Sequence, residues 1–328
     1  MVIARELTRA LCESGHTAEI MVTPDYGFGR QARAYWETWR ARVPPIGGGP
    51  ADQIVSLRYP SYAVRHPRHV CWLNHTMREY YDLWPRWREE LSARGRLKEG
   101  VRRTLIHAAD RYLLTRNVNR LFVQSRTIQD RLRIWPALTS TVLHPPAPTR
   151  AYRTDAYGPE FLFVSRLTPL KRAGLAIAAL GEPGGAGIRL TVAGEGEQRA
   201  ELEAQAVALG VGDRVTFAGR LTEAGLLDHL ARCRAVVFPP LQEDYGFVTV
   251  EAFASRKAVI TCHDSGGPAE LVADGVSGVV CAPAPASLAA AMQRLASDVA
   301  LAERMGADAF EAGARLTWPQ TVRALVVQ

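Results

Sequence analysis

The chain has 328 residues, 47% of them apolar and 22% charged, which excludes a disordered chain and is enough for two domains with separate cores. No apolar run reaches the ~18–20 residues of a membrane-spanning helix, and five scattered cysteines without metal-ligand spacing argue against a disulfide framework or a zinc site and for free thiols in a reducing cytoplasm. The net charge of +7 is uneven: residues 1–150 hold 24 Lys and Arg against 13 Asp and Glu, residues 151–328 hold 16 against 20, so the first half suits an anionic partner or else presents a solvated arginine-rich surface.

Ile3–Glu13 reads as a helix ended by Gly15-His16, with nothing before it. A doubly wound domain normally opens on a central strand and a Gly-rich turn. The first domain is therefore expected to be incomplete at its start. Either the true start lies upstream, the reading we favour because a missing central strand opens two inner edges, or the strand and loop are lost. Strands are expected at Ala18–Thr23, Gln53–Leu57, His69–Leu73 and Arg120–Gln124. Leu83–Arg116 reads as helical and arginine-rich, with breaks at Gly95 and Gly100. Val142–Pro148 stops regular structure and is taken as a linker, which divides the chain at 148/149.

The second half alternates strand and helix. Strands are expected at Glu160–Ser165, Ile188–Ala193, Arg214–Phe217, Ala235–Phe238, Ala258–Thr261 and Gly278–Val280. Helices are expected at Ala173–Leu180, Glu197–Leu209, Thr222–Cys233, Gly246–Ser255, Gly267–Ala273 and Ala286–Ser297. This alternation predicts an α/β fold with a doubly wound parallel sheet, whose ligands bind at the carboxyl ends of the strands.

Glu243-Asp-Tyr-Gly-Phe-Val-Thr-Val-Glu251 sets two carboxylates eight residues apart around a glycine that leads into a helix. Gly246 permits a tight turn, and the backbone N–H groups of Phe247, Val248 and Thr249 then lie at a helix N-terminus, an arrangement that suits a diphosphate. Glu251 can accept hydrogen bonds from a ribose diol, and Glu243 from sugar hydroxyls. An ordinary strand-to-helix loop with a capping acid explains the same residues. Arg166 and Lys171 follow a strand end and offer a fork and a mobile point charge for phosphate oxygens; a solvated surface pair is the alternative. Gly194-Glu-Gly196 lets a helix pack close, and Gly219-Arg220-Leu221 can present backbone to a base.

Taken in order, Phe163-Val-Ser-Arg-Leu-x3-Lys171, Val192-Ala-Gly-Glu-Gly196, Phe217-Ala-Gly-Arg-Leu221, Glu243-x7-Glu251, Ser265-Gly-Gly-Pro-Ala-Glu-Leu-Val272 and Asp274-Gly-Val-Ser-Gly278 resemble the donor domain of family-4 retaining glycosyltransferases of the GT-B fold. The resemblance covers about 160–325. It implies two Rossmann-like domains facing a cleft and transfer of a hexose from a nucleoside-diphosphate sugar, with retention, in bacterial glycan or glycolipid synthesis. It implies Arg166 and Lys171 on the diphosphate, Glu251 on the ribose, Glu243 on the sugar, and the backbone of Gly246–Val248 near both. It also implies a last helix, around Trp318–Val327, that crosses back to the first domain. No metal and no cofactor beyond the donor substrate are expected.

The first half is similar to a subset of bacterial members at Arg58-Tyr-Pro-Ser-Tyr-Ala-Val-Arg-His-Pro67 and Trp72-Leu-Asn-His-Thr-Met-Arg78. His75 is the candidate for contact with the sugar or the acceptor hydroxyl, Asn74 and Arg78 weaker ones; a structural histidine at a strand end is the alternative. The acceptor is expected to be a glycan, a lipid-linked group or a small molecule. Trp84-Pro-Arg-Trp87-Arg with Arg94, Arg96, Lys98, Arg102 and Arg103 suits an anionic membrane surface at the inner face, with Trp at headgroup level, or a solvated helix with a few core aromatics. Nucleic acid is set aside, since no recognition motif accompanies the charge. Rival functions are a catalytically impaired nucleotide-sugar-binding protein and a peripheral membrane scaffold.

Overall fold

The computed structural model describes residues 2–327; Met1 and Gln328, the outer ends of the two expected domains, lie outside them. The chain forms two units, Met1–Pro145 with Thr317–Gln328, and Pro146–Leu316.

In the first unit, α1 (Val2–Glu13) turns Ile3, Leu7 and Ala10 inward at helical spacing. There follow α2 (Gln31–Arg40), β1 (Ile54–Arg58), β2 (His69–His75), α3 (Trp84–Glu90), α4 (Ala93–Arg116), β3 (Arg120–Val123), α5 (Arg126–Leu132) and β4 (Thr141–Val142). The strands form one parallel sheet in the order β1-β2-β3-β4. His69-Val-Cys-Trp-Leu73 is buried along its whole length, as a central parallel strand requires.

Three expectations are corrected here. Ala18–Thr23 is not a strand: Ile20 and Val22 are exposed, and the segment pairs with no sheet edge. The helical stretch does not break at its glycines. It breaks at Leu91-Ser92, where the Ser92 hydroxyl accepts from Gly95 N–H at 3.2 Å and caps α4; both glycines lie inside that helix. The sheet also runs into the stretch taken as linker, because Val142 pairs with Val123 and Leu143 N–H donates to Val123 O at 2.8 Å.

The core of the first unit contains a carboxylate. Asp110 of α4, 3% exposed, accepts from the hydroxyls of Tyr35, Tyr62 and Tyr81, the last at 2.5 Å. Burial pushes its pKa up to about 6 although all three donors favour the charged form. Trp84 and Trp87 pack against this core, and Arg103 lies over the Trp84 ring. Both indoles are half-buried.

The second unit runs β5 (Glu160–Val164), α6 (Ala173–Gly181), β6 (Arg189–Ala193), α7 (Arg199–Ala208), β7 (Val215–Gly219), α8 (Glu223–Arg232), β8 (Val236–Val237), α9 (Phe247–Ala254), β9 (Val259–Cys262), α10 (Gly267–Leu271), β10 (Gly278–Cys281), α11 (Pro285–Ser297) and α12 (Val299–Ala314). Its six strands are all parallel, in the order β10-β9-β8-β5-β6-β7. Phe161, Phe163, Leu190, Val192, Val237 and Ile260 fill the core on one face of the sheet. The order reverses between β5 and β8, so the loops after these two strands flank the switch point at which such sheets bind ligands.

The chain ends in α13 (Trp318–Leu325), which belongs to the first unit. Trp318 meets Trp72 edge-on at 6.3 Å, and Gln53 ties the last turn by donating to Leu325 O and accepting from Val327 N–H.

Candidate functional site

The two loops at the switch point are joined by a chain of short bonds. Arg172, at φ 52° where few residues other than glycine rest, donates to Asp264 through both terminal nitrogens and to the carbonyls of Pro239 and Pro240 at 2.6–2.7 Å. Gln242, Glu243 and Gly267 continue the connection through backbone bonds to Asp264, Ser265 and Glu243. The loop after β8 is thereby fixed against the loops after β5 and β9. Lys171, on the loop after β5, contacts the carboxylate of Glu243, on the loop after β8, and both side chains are largely buried. Arg166 is exposed two residues past β5, and its guanidinium makes no ion pair among the described residues.

Gly246 ends the loop at φ 79° and caps α9 without a side chain. A Cβ there would lie 2.9 Å from both Phe238 and Pro268. The first N–H groups of α9 therefore have no side-chain acceptor, the state in which a helix end attracts an anion. Val248 and Thr249 are buried, the latter fully, and the Thr249 hydroxyl has no hydrogen-bond partner among the described residues. Gly194 follows β6 at φ 141°, and a Cβ on it would stand 1.8 Å from Ser165 O. That close approach lets Ser165 N–H bond Ala193 O and Leu167 N–H bond Glu195 O, aligning the ends of β5 and β6.

Glu251 is 7% exposed on α9. Burial raises its pKa; Arg150, whose guanidinium donates to Oε1, pulls the other way. Arg150 also lies 3.5 Å from Glu223, at the start of α8 just after the exposed Arg220 and half-buried Leu221.

These loops fall within residues 150–312, which match the sequence profile of the glycosyl transferases group 1 family. Through this segment the chain belongs to the glycosyl transferases group 1. It is 40% identical over 161 residues to a glycogen synthase of Mycobacterium tuberculosis, covering 47% of this chain and 38% of that protein. It is 32% identical over 167 residues to the alpha-D-kanosaminyltransferase of Streptomyces kanamyceticus, covering 49% and 43%. The chain thus spans less than half the length of these relatives. Among solved structures, sucrose-phosphate synthase from Thermosynechococcus elongatus superposes with a TM-score of 0.74 over 98% of this chain and 90% of its own, at 19% identity. The two parallel sheets are those of GT-B glycosyltransferases, and Arg166, Lys171, Gly194, Glu243, Gly246 and Glu251 are all in the segment by which the chain is a group 1 member.

In the first unit, His75 is exposed at the end of β2 beside a cavity of about 210 Å³ that Phe28, Gln31, Tyr59 and Glu79 also line. Asn74 is half-buried, and its Oδ1 has no hydrogen-bond partner among the described residues. Arg78 does not share the exposure of His75: it is 7% exposed and bound to Asp82, which Arg131 also meets at 2.9 Å.

Sequence reasoning missed Arg150, Arg172 and Asp264. Arg172 stands next to Lys171, and Asp264 directly precedes the Ser-Gly-Gly turn, so both had a local signal. Arg150 had none. Among the described residues no helix is long and apolar enough to cross a membrane.

Proposed function

We propose that the chain transfers a sugar from a nucleoside-diphosphate sugar to an acceptor hydroxyl, with retention at the anomeric carbon. One observation carries this reading: Lys171, Glu243, the exposed Arg166 and the uncapped start of α9 gather on the two loops that flank the sheet's switch point. Such a set offers positive charge for a diphosphate and a carboxylate for sugar hydroxyls. A structure of similar fold, HepE of Anabaena, holds UDP-glucose (TM-score 0.57, 20% identity, 79% of this chain and 85% of its own).

In this reading the bond from the anomeric carbon to the diphosphate breaks and a bond to the acceptor oxygen forms. Arg166, Lys171 and the N–H groups of Phe247 and Val248 stabilise charge on the leaving diphosphate, whose oxygen takes the acceptor proton. These groups supply positive charge where other transferases use a metal ion. Glu243 orients the sugar, Glu251 holds the ribose, and backbone at Arg220-Leu221 meets the base. His75 and its cavity serve the acceptor.

Thermal unfolding with UDP, GDP and ADP tests the reading. One nucleotide at a hundred times its dissociation constant should stabilise by about 2.7 kcal/mol, and Glu251→Ala should abolish the response. No response to any of the three by the folded protein overturns the assignment.

A further inference from the structure

The face of α4 turned away from the core is apolar along its middle. Leu97 is 72% exposed, Val101 56%, Leu105 65% and Tyr112 57%. The spacing of four residues between Leu97, Val101 and Leu105 sets them in one stripe, opposite Ile106, Asp110 and Leu113, which are buried. Four such side chains left in water on one helix are a patch that needs an occupant.

The charges beside the stripe are all of one sign. Arg94, Lys98, Arg111 and Arg116 are exposed, and among the described residues none makes an ion pair. The two acids of α4 are withdrawn from this surface. Glu99 is 6% exposed and bound to Tyr80 and Arg102; Asp110 is enclosed by three tyrosines. A helix with leucine, valine and tyrosine between unpaired cations, and with every acid on its inner face, matches the interface of an anionic lipid layer.

We propose that α4 docks the protein on an anionic membrane surface, with Leu97, Val101 and Leu105 entering the acyl boundary and Arg94, Lys98, Arg111 and Arg116 meeting lipid phosphates. Charge selects this occupant over a second copy of the chain, since a two-fold contact through α4 brings the same four cations against one another. The docking goes beyond the transfer reading and does not depend on nucleotide binding. It rests on Leu97, Val101 and Leu105, which are exposed, where Trp84 and Trp87 are only half-buried.

Co-sedimentation of the full chain with phosphatidylcholine vesicles, with and without phosphatidylglycerol, is the test. Binding is expected only with phosphatidylglycerol and should weaken as salt is raised. Leu97→Ser/Val101→Ser/Leu105→Ser should lower partitioning by more than about tenfold, and Arg94→Gln/Lys98→Gln by roughly fivefold per cation. All five positions are exposed, so the variants should keep the wild-type melting temperature and nucleotide response. Failure to sediment with phosphatidylglycerol vesicles, equal binding to both vesicle types, or wild-type binding by the triple variant overturns the proposal. So does a wild-type dimer in sedimentation velocity that the triple variant dissociates, which would make a second copy the occupant.

Discussion

Arg150 and Glu251, 101 residues apart in the chain, form a largely buried ion pair through a single carboxylate oxygen, Oε1. Oε2 makes no hydrogen bond to the described residues. The pair therefore leaves Glu251 one oxygen, the one that receives the ribose diol in the proposed reading, and opposes the burial that favours its protonated form.

Arg150→Met should weaken nucleoside-diphosphate binding about tenfold at neutral pH. The loss should deepen as pH falls and shrink as it rises. Without the guanidinium, the Glu251 pKa rises further, and a protonated carboxyl accepts a diol poorly. Titration calorimetry of both proteins at each pH separates this from the ligand's own ionisation, because the ratio of affinities is what counts. A loss that is the same at every pH would reduce Arg150 to a packing role. Arg150→Lys should keep most of the affinity.

Lys171 and Glu243 make contact before any donor is bound. In the proposed reading a diphosphate must then share or take Lys171, while a sugar takes Glu243. Glu243→Gln removes the competing charge, so affinity for the bare nucleoside diphosphate should hold or rise. Turnover with the sugar donor should fall about a hundredfold or more, the scale of a lost positioning or electrostatic group. Equal losses in binding and turnover would mean that Glu243 merely holds the loop together. Steady-state kinetics beside nucleotide titration make the distinction.

Gly194→Ala should destabilise the second unit by roughly 2 kcal/mol or more, since a methyl group cannot stand 1.8 Å from Ser165 O and φ 141° is strained for any side chain. Gly187→Ala is the control: its φ is also positive, at 73°, but nothing lies within 4 Å. Melting followed by circular dichroism should show a clearly larger loss at 194. Equal losses would assign the effect to backbone strain alone.

The second unit was readable because its strands are short continuous apolar runs between glycines, and helices separate them at regular intervals. The first was harder for identifiable reasons. Ala18–Thr23 has the composition of a strand but no partner edge. Thr141 and Val142 make a two-residue strand too short to carry a pattern. The break before α4 depends on the hydroxyl of Ser92, while the glycines that draw the eye do not interrupt the helix. The loops of the candidate site showed in the spacing of Arg166, Lys171, Glu243 and Glu251. Arg150 did not, because its role depends wholly on a partner a hundred residues on.

Asp110 makes the stability of the first unit depend on pH. Its folded pKa, about 6, lies above the ordinary 3.8, so the folded chain holds the proton more tightly than the unfolded chain does. Stability from this group is complete below pH 3.8 and is lost as pH rises through about 6, at a cost of order 3 kcal/mol. His69 acts in the opposite sense. Burial lowers its pKa from 6.5 to about 4, so its contribution is present above pH 6.5 and is lost as pH falls towards 4. The two slopes oppose each other between about pH 4 and 6, and wild-type stability should vary little there. Asp110→Asn keeps an acceptor for the tyrosine hydroxyls but removes the titration, which exposes the His69 slope. The seven tryptophans all lie in the first unit, so urea unfolding followed by their fluorescence reports on this unit alone. The advantage of wild type over Asp110→Asn should grow as pH falls from 6 to 4. A difference that is constant over this range would mean that the three tyrosines hold Asp110 near its ordinary pKa.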